Sequence, residues 1–124
     1  MVRSVPMHER LAEAVARFEQ IHMGLCPKSV EVDIHRSHIL VTLAGVVSAA
    51  ERQSARDLEV RELLEKLAAA AFDAVSGDID AEVEQITGRT VVGSRISIDP
   101  LAGDAILKFL LEDTEPQAKS LAEG

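Results

Sequence analysis

Arg56–Thr87, with the sequence RDLEVRELLEKLAAAAFDAVSGDIDAEVEQIT, is the longest segment of helical periodicity in the chain. Its apolar residues recur at steps of three or four, which places them on one face of a helix. They are Val60, Leu64, Leu67, Ala71, Val75, Ile79, Val83 and Ile86. The phase continues through Gly77, which favours one helix although an interior glycine costs roughly 1 kcal/mol. The alternative is a second helix that begins with Asp78 as its N-cap.

The length of this helix has a consequence for packing. A helix of about 30 residues is roughly 45 Å long, whereas a strand of about seven residues spans only about 23 Å. Part of the apolar face would therefore extend past its own sheet, and we expect a second chain to bury that part. We also expect Leu67 to lie in the core, so that Leu67→Ala costs about 2 to 5 kcal/mol.

One further helix and two pairs of strands are predicted around the long helix. The helix covers residues 7–23, and the strands cover residues 28–34, 39–44, 91–98 and 105–111. The order helix, strand, strand, helix, strand, strand is a loose internal repeat. It predicts an α+β two-layer sandwich, with a four-stranded, mainly antiparallel sheet and the long central helix on one face.

Periodicity also predicts which way the side chains of these elements point. The first helix presents an apolar face made of Leu11, Ala14, Val15, Phe18 and Ile21. The third strand places on one face Val92, Ser94, Ile96 and Ile98. Apolar residues of the second and fourth strands would point away from the helices, and these are Leu40, Ala44, Ile106 and Leu110. Because a contiguous apolar patch on a sheet indicates an interface, these four are candidate interface residues.

Composition limits the class of protein. The 124 residues, 47% of them apolar, fit one domain over residues 1–113, followed by a flexible acidic tail over residues 114–124. Thirteen Lys and Arg against twenty-one Asp and Glu give a net charge of -8, which disfavours nucleic acid as a partner. No apolar segment has the length of a signal peptide or a bilayer span, so no direct membrane insertion is expected. The lone Cys26 fits a cytoplasmic protein.

Carboxylates at alternate positions of the long helix resemble part of a calcium loop. They belong to Asp78, Asp80, Glu82 and Glu84. An EF-hand loop needs Gly at its sixth position and Glu at its twelfth, and here these positions are Val83 and Arg89. The pattern therefore favours a solvated helix surface.

Histidines form two separate pairs with possible metal ligands, and these are His35 with His38 and His22 with Cys26. Zinc needs three or four converging ligands, and nothing in the spacing brings the two pairs together. A Gly-rich phosphate loop, a serine elbow and an HExxH pattern are absent from the sequence. We therefore expect no catalytic residue, no metal and no cofactor.

Three short motifs give the chain a family resemblance. They are Pro27 with the hairpin after it, the segment GVVSAAE over residues 45–51, and Thr87-Gly88-Arg89 with Val91. In the second motif Gly45, Ser48 and Glu51 are similar to a family pattern Gly-x-Leu-Thr-x-x-Glu, and Ser48 with Glu51 has the form of a capping box. The chain resembles a small bacterial family named after MpsC, the third component of a sodium-translocating, membrane-potential-generating system.

The resemblance covers roughly residues 11–111, and Cys26 stands where the family usually has Gly. It implies association with membrane energetics, and no catalytic residue carries over from it. We expect a non-enzymatic cytoplasmic interaction or regulatory domain that forms a homodimer and can partner a protein of a membrane complex. The alternative is a small-molecule or metal-binding sensor, or a minimal enzyme, that uses the histidine turn and the groove between hairpin and helix.

Overall fold

The computed structural model of this chain describes residues 5–113, so the predicted acidic tail over residues 114–124 lies outside the described residues. Three helices occur in that range: α1 (Met7–Phe18), α2 (Ala49–Ser54) and α3 (Leu58–Thr87). A π-helical turn, Glu19–Met23, continues α1. The strands are β1 (Ser29–Ile34), β2 (His38–Ala44), β3 (Val91–Asp99) and β4 (Asp104–Leu111).

The strands form one antiparallel sheet in the order β1-β2-β4-β3. Burial alternates along the two central strands, and the inward positions include Ile39, Val41, Leu43, Leu107 and Phe109. This inner face packs against α1 and α3, and the three elements share one hydrophobic core. The predicted α+β architecture, with a four-stranded antiparallel sheet and a long helix against it, is confirmed.

α3 is a single helix of 30 residues that continues through Gly77 without a break. It begins after Asp57, whose carboxylate accepts hydrogen bonds from the Glu59 and Val60 amides at 2.9 and 3.4 Å. It ends at Gly88, whose φ of 73° is the left-handed conformation that favours glycine. The helix with Asp78 as N-cap does not form, because Gly77 lies exposed on the solvent side and leaves the apolar phase unbroken.

The two halves of α3 differ in how they pack. The seated half, residues 72–87, contains all three fully buried residues of the helix, namely Phe72, Ile79 and Val83. The overhanging half, residues 58–71, contains none, and its Leu67 is 67% exposed. The expectation that Leu67 lies in the core is therefore wrong. Leu67 lies in the half where α3 buries no side chain. Phe72 instead fills the core against Phe18, with ring centroids 5.9 Å apart.

Two side chains predicted to face the core point to solvent instead, and in each case a local irregularity of the backbone is the cause. Val92 is 61% exposed because the pairing of β3 with β4 shifts between Val91 and Gly93, and such a bulge turns the next side chain to the other face. Ile21 is 68% exposed because it lies in the π-helical turn, which is wider than an α-helical turn and shifts the phase of the apolar face.

Candidate functional site

The family-motif residues after β2 determine how the chain enters α2. Ser48 Oγ accepts a hydrogen bond from the Glu51 amide at 3.1 Å, and Glu51 Oε1 accepts one from the Ser48 amide at 3.0 Å. These reciprocal bonds are a complete capping box. Gly45 has a φ of 69°, and a Cβ atom there would lie 2.8 Å from the Lys28 side chain. Pro27 is half-buried between the π-helical turn and β1.

The second group of motif residues ties the end of α3 to both hairpins. Thr87 Oγ1 donates to the Val83 carbonyl at 2.8 Å and accepts from the Arg89 amide at 3.1 Å. The Arg89 guanidinium donates to the carbonyls of Arg36 at 2.7 Å and Glu112 at 3.1 Å. Arg89 therefore links the β1–β2 turn to the end of β4, and Gly88 supplies the helix terminus.

The candidate interface residues Leu40, Ala44, Ile106 and Leu110 lie on the outer face of the sheet. Leu40 and Ala44 are half-buried, whereas Ile106 and Leu110 are 43% and 44% exposed. Lys108 lies between Ile106 and Leu110 on β4 and pairs across the sheet with Leu40. A charged residue therefore interrupts the apolar patch at its centre.

The histidine pairs stay separate in the fold. His35 and His38 stack with ring centroids 4.5 Å apart, and His22 Nε2 lies 3.3 Å from Asp78 Oδ2. Desolvation, with His35 and Lys108 nearby, lowers the pKa of His38. Within residues 5–113 no three His, Cys, Asp or Glu side chains converge as a metal site would require.

The four carboxylates of the seated half of α3 have different environments. Asp78 pairs with His22, and Glu82 accepts a 2.7 Å hydrogen bond from Arg17 of α1. Glu84 accepts from the Val91 amide at 2.8 Å. Burial raises the pKa of Asp80. Three of these side chains thus connect α3 to its neighbours.

The solvent side of α3 carries a row of small and apolar residues that the sequence reading overlooked. We call this row the outer seam, and its members are Leu63, Leu67, Ala70, Ala74, Gly77 and Ala81. They follow each other at steps of four, three, four, three and four residues, and all six are exposed. This spacing is that of the contact positions of a coiled coil.

A cavity of about 200 Å³ lies beside the overhanging half of α3. Leu64, Leu67 and Ala68 of α3 form one wall, and Ile96 and Ile98 of β3 form part of another. The cavity therefore lies between the overhanging half of α3 and the sheet.

Glu19 is the polar residue buried at this cavity. It is the first residue of the π-helical turn, its side chain is 0% exposed, and both carboxylate oxygens lack a hydrogen-bond partner among the described residues. Burial raises the pKa of the Glu19 carboxyl to about 7. Glu51 also lines the cavity, but its Oε1 already accepts hydrogen bonds from Ser48.

The sequence contained a signal for Glu19 that the reading missed. Leu11, Val15 and Glu19 follow each other at steps of four, so a helix brings Glu19 to the buried face of α1. A glutamate in such a series is unusual, because a carboxylate is rarely buried without a partner. The π-helical turn is a second indication, since such turns occur frequently at functional sites.

Comparison with known proteins identifies one family. A family model described as "Na+-translocating membrane potential-generating system (MpsC)" matches residues 5–113. No significant match is found among curated proteins or among solved structures. No helix within the matched and described range combines the length and apolar character needed to cross a membrane.

Proposed function

The chain belongs to the MpsC family, and we propose that it acts there as a non-enzymatic interaction module that pairs with a second copy of itself through the outer seam of α3. The observation that carries this proposal is the exposure of six small or apolar residues at coiled-coil spacing. The family-motif residues support a non-enzymatic role, because their side chains are engaged in caps, turns and links between elements.

The outer seam is complementary to itself in an antiparallel arrangement. Its two leucines, Leu63 and Leu67, lie at one end, and Ala74, Gly77 and Ala81 lie at the other. A two-fold axis near Ala70 and Ala74 would set Leu67 of each copy opposite Gly77 of the other. Each large side chain would then meet a small residue, so that the helices approach closely and bury the leucines.

The module belongs, in this proposal, beside a protein of a membrane-potential-generating system on the cytoplasmic side. The family description names such a system. A cytoplasmic location is supported by Cys26, a free and exposed thiol of the kind that persists in reducing compartments. Pairing would give the module two equivalent surfaces for its partner, which raises the effective concentration of the second contact.

Light scattering coupled to size-exclusion chromatography tests the pairing. We expect the wild-type protein to have twice the mass of one chain at micromolar concentration. Ala74→Glu places a carboxylate near the two-fold axis, where it would be buried against Ala70 of the second copy. This variant should therefore be a monomer with an unchanged circular dichroism spectrum.

Ile106→Glu is the matched control, because it makes the same kind of change on the outer face of the sheet. It should leave the mass at twice that of one chain. A wild-type monomer would overturn the proposal. Dissociation by Ile106→Glu, with Ala74→Glu still paired, would transfer the interface from α3 to the sheet.

A further inference from the structure

We propose that the cavity beside the overhanging half of α3 binds a small organic cation, with an ammonium head that donates to Glu19 and a compact apolar body against the aliphatic walls. This site is separate from the outer seam except at Leu67, which lines the cavity and is also a member of the seam. The inference therefore extends beyond the proposed pairing and does not depend on it.

The requirement for a donor follows from Glu19. Both oxygens of its carboxylate are buried and have no partner within the described part of the chain. A buried polar group without a hydrogen bond destabilises the fold, so such a group is normally satisfied by protein, water or ligand. Among the described residues that line the cavity, none is Lys, Arg or His, so a positive charge has to come from outside these residues.

An organic cation fits this cavity better than a metal ion does. A metal ion that leaves water needs several oxygen ligands. Here the walls are Leu, Ile, Val, Met and Ala, and besides Glu19 the lining contains only the carboxylate of Glu51, whose Oε1 already accepts hydrogen bonds from Ser48. An alkyl or cyclic body gains from contact with those walls. An aliphatic cavity of roughly 150 Å³ holds benzene, so the about 200 Å³ available here holds a ring of that size with its head group.

The protonation state of Glu19 gives a second readout. Burial raises the pKa of Glu19 to about 7, and an ammonium ion prefers the ionised carboxylate. Binding should therefore lower the pKa of Glu19, and affinity should decrease about tenfold per pH unit below that pKa. The other titratable groups nearby are Glu51, which lines the cavity, and His22 of the same π-helical turn, which pairs with Asp78 of α3.

The test is calorimetric titration of the full chain at pH 8 with three compounds that share one ring: cyclohexylammonium, cyclohexanol and cyclohexanecarboxylate. We expect cyclohexylammonium to bind at least about tenfold more tightly than the alcohol, since charge-assisted hydrogen bonds are stronger than neutral ones. The carboxylate should bind most weakly. Carbon-13 NMR of the Glu19 carboxyl should show a pKa lowered by cyclohexylammonium and unchanged by cyclohexanol.

Two substitutions distinguish the contribution of the ammonium group to binding from that of the apolar ring. Glu19→Gln keeps the size of the side chain and should abolish the preference for the ammonium over the alcohol. Ala68→Leu adds bulk to the wall of the cavity and should weaken all three compounds, while Glu51→Gln should leave the order of affinities unchanged.

Equal affinities for the three compounds in the wild-type protein would overturn the proposal, as would an ammonium preference that survives Glu19→Gln. The seam variant Ala74→Glu, which does not line the cavity, separates this proposal from pairing. Cyclohexylammonium should bind to it as it does to the wild type, whether or not the wild-type chain forms pairs.

Discussion

The overhanging half of α3 is the more apolar of the two halves, yet the seated half is the more deeply buried. Residues 58–71 include five leucines and valines, yet none of them is fully buried. Residues 72–87 are richer in acids and bury Phe72, Ile79 and Val83. The difference shows that periodicity predicts only which residues share one face of a helix. Which of those residues become core depends on where along the helix that face meets the sheet.

The extra length of α3 relative to the strands creates two features that a shorter helix would lack. Between the overhanging half and the sheet lies the cavity with Glu19 at its side. On the solvent side the outer seam runs along both halves. A helix cut to the length of the strands would keep the core and lose most of these surfaces.

The largest expected difference between the two halves is in the loss of folding stability when a large side chain is replaced by alanine. Phe72→Ala should lower the free energy of unfolding by about 3 to 5 kcal/mol, because it leaves a cavity between α3 and Phe18 of α1. Urea denaturation followed by circular dichroism, at a protein concentration low enough for single chains, measures this change.

Leu67→Ala is the matched comparison from the overhanging half, and it should cost less than about 0.5 kcal/mol under the same conditions. A cost above about 2 kcal/mol for Leu67→Ala would mean that the overhanging half is packed as tightly as the seated half. It would then remove the contrast on which the cavity and the seam both depend.

The next effect concerns Glu19, whose folded-state pKa is raised from 4.5 to about 7. Between these values the folded chain binds more protons than the unfolded chain, so the free energy of unfolding should fall as the pH rises. The decrease attributable to Glu19 between pH 4.5 and 8 should be about 3 kcal/mol, from about 1.4 kcal/mol per pKa unit. Urea midpoints measured from pH 4.5 to 8 report this decrease.

Glu19→Gln isolates this contribution, because it removes the titration and keeps the shape of the side chain. The variant should lose stability less steeply than the wild type over the same pH range. Identical pH profiles for the two proteins would mean that the Glu19 carboxyl is hydrated rather than buried beneath the overhanging half.

Much of the fold could be predicted from the sequence because the elements have strong local signals. The alternation of β2 predicts its inward Ile39, Val41 and Leu43, and the Ser48 to Glu51 spacing predicts the cap that the structure contains. The continuity of α3 followed from the unbroken phase of apolar residues around Gly77. These features depend on residues close together in the chain.

The errors arose where tertiary contacts override local pattern. Leu67 has the right phase for a core residue, but only the position of the sheet shows that nothing covers it. Val92 is displaced by a bulge next to Gly93, and a glycine inside a strand often marks such a bulge, so this signal was present in the sequence. Glu19 was not predicted as a buried residue, although its spacing from Val15 places it on the buried face.

The smallest effect is expected at Gly77, where one substitution tests both the stability of the single chain and the packing of the pair. Gly77 lies inside the helix with an ordinary negative φ, and an added Cβ would meet no atom within 4 Å. Gly77→Ala should therefore raise the free energy of unfolding of the single chain by about 0.5 to 1 kcal/mol, through the better helix propensity of alanine. Gly88→Ala, at a φ of 73°, is the control and should be destabilising.

In the pair the same substitution should act with the opposite sign. Gly77 is the seam position that would face Leu67 of the second copy, and a methyl group there would push the two helices apart. Dilution followed by light scattering should show a weaker pair for Gly77→Ala even though each chain is more stable. If alanine strengthened both the chain and the pair, Gly77 would not face a close neighbour, and the register inferred for the outer seam would be wrong.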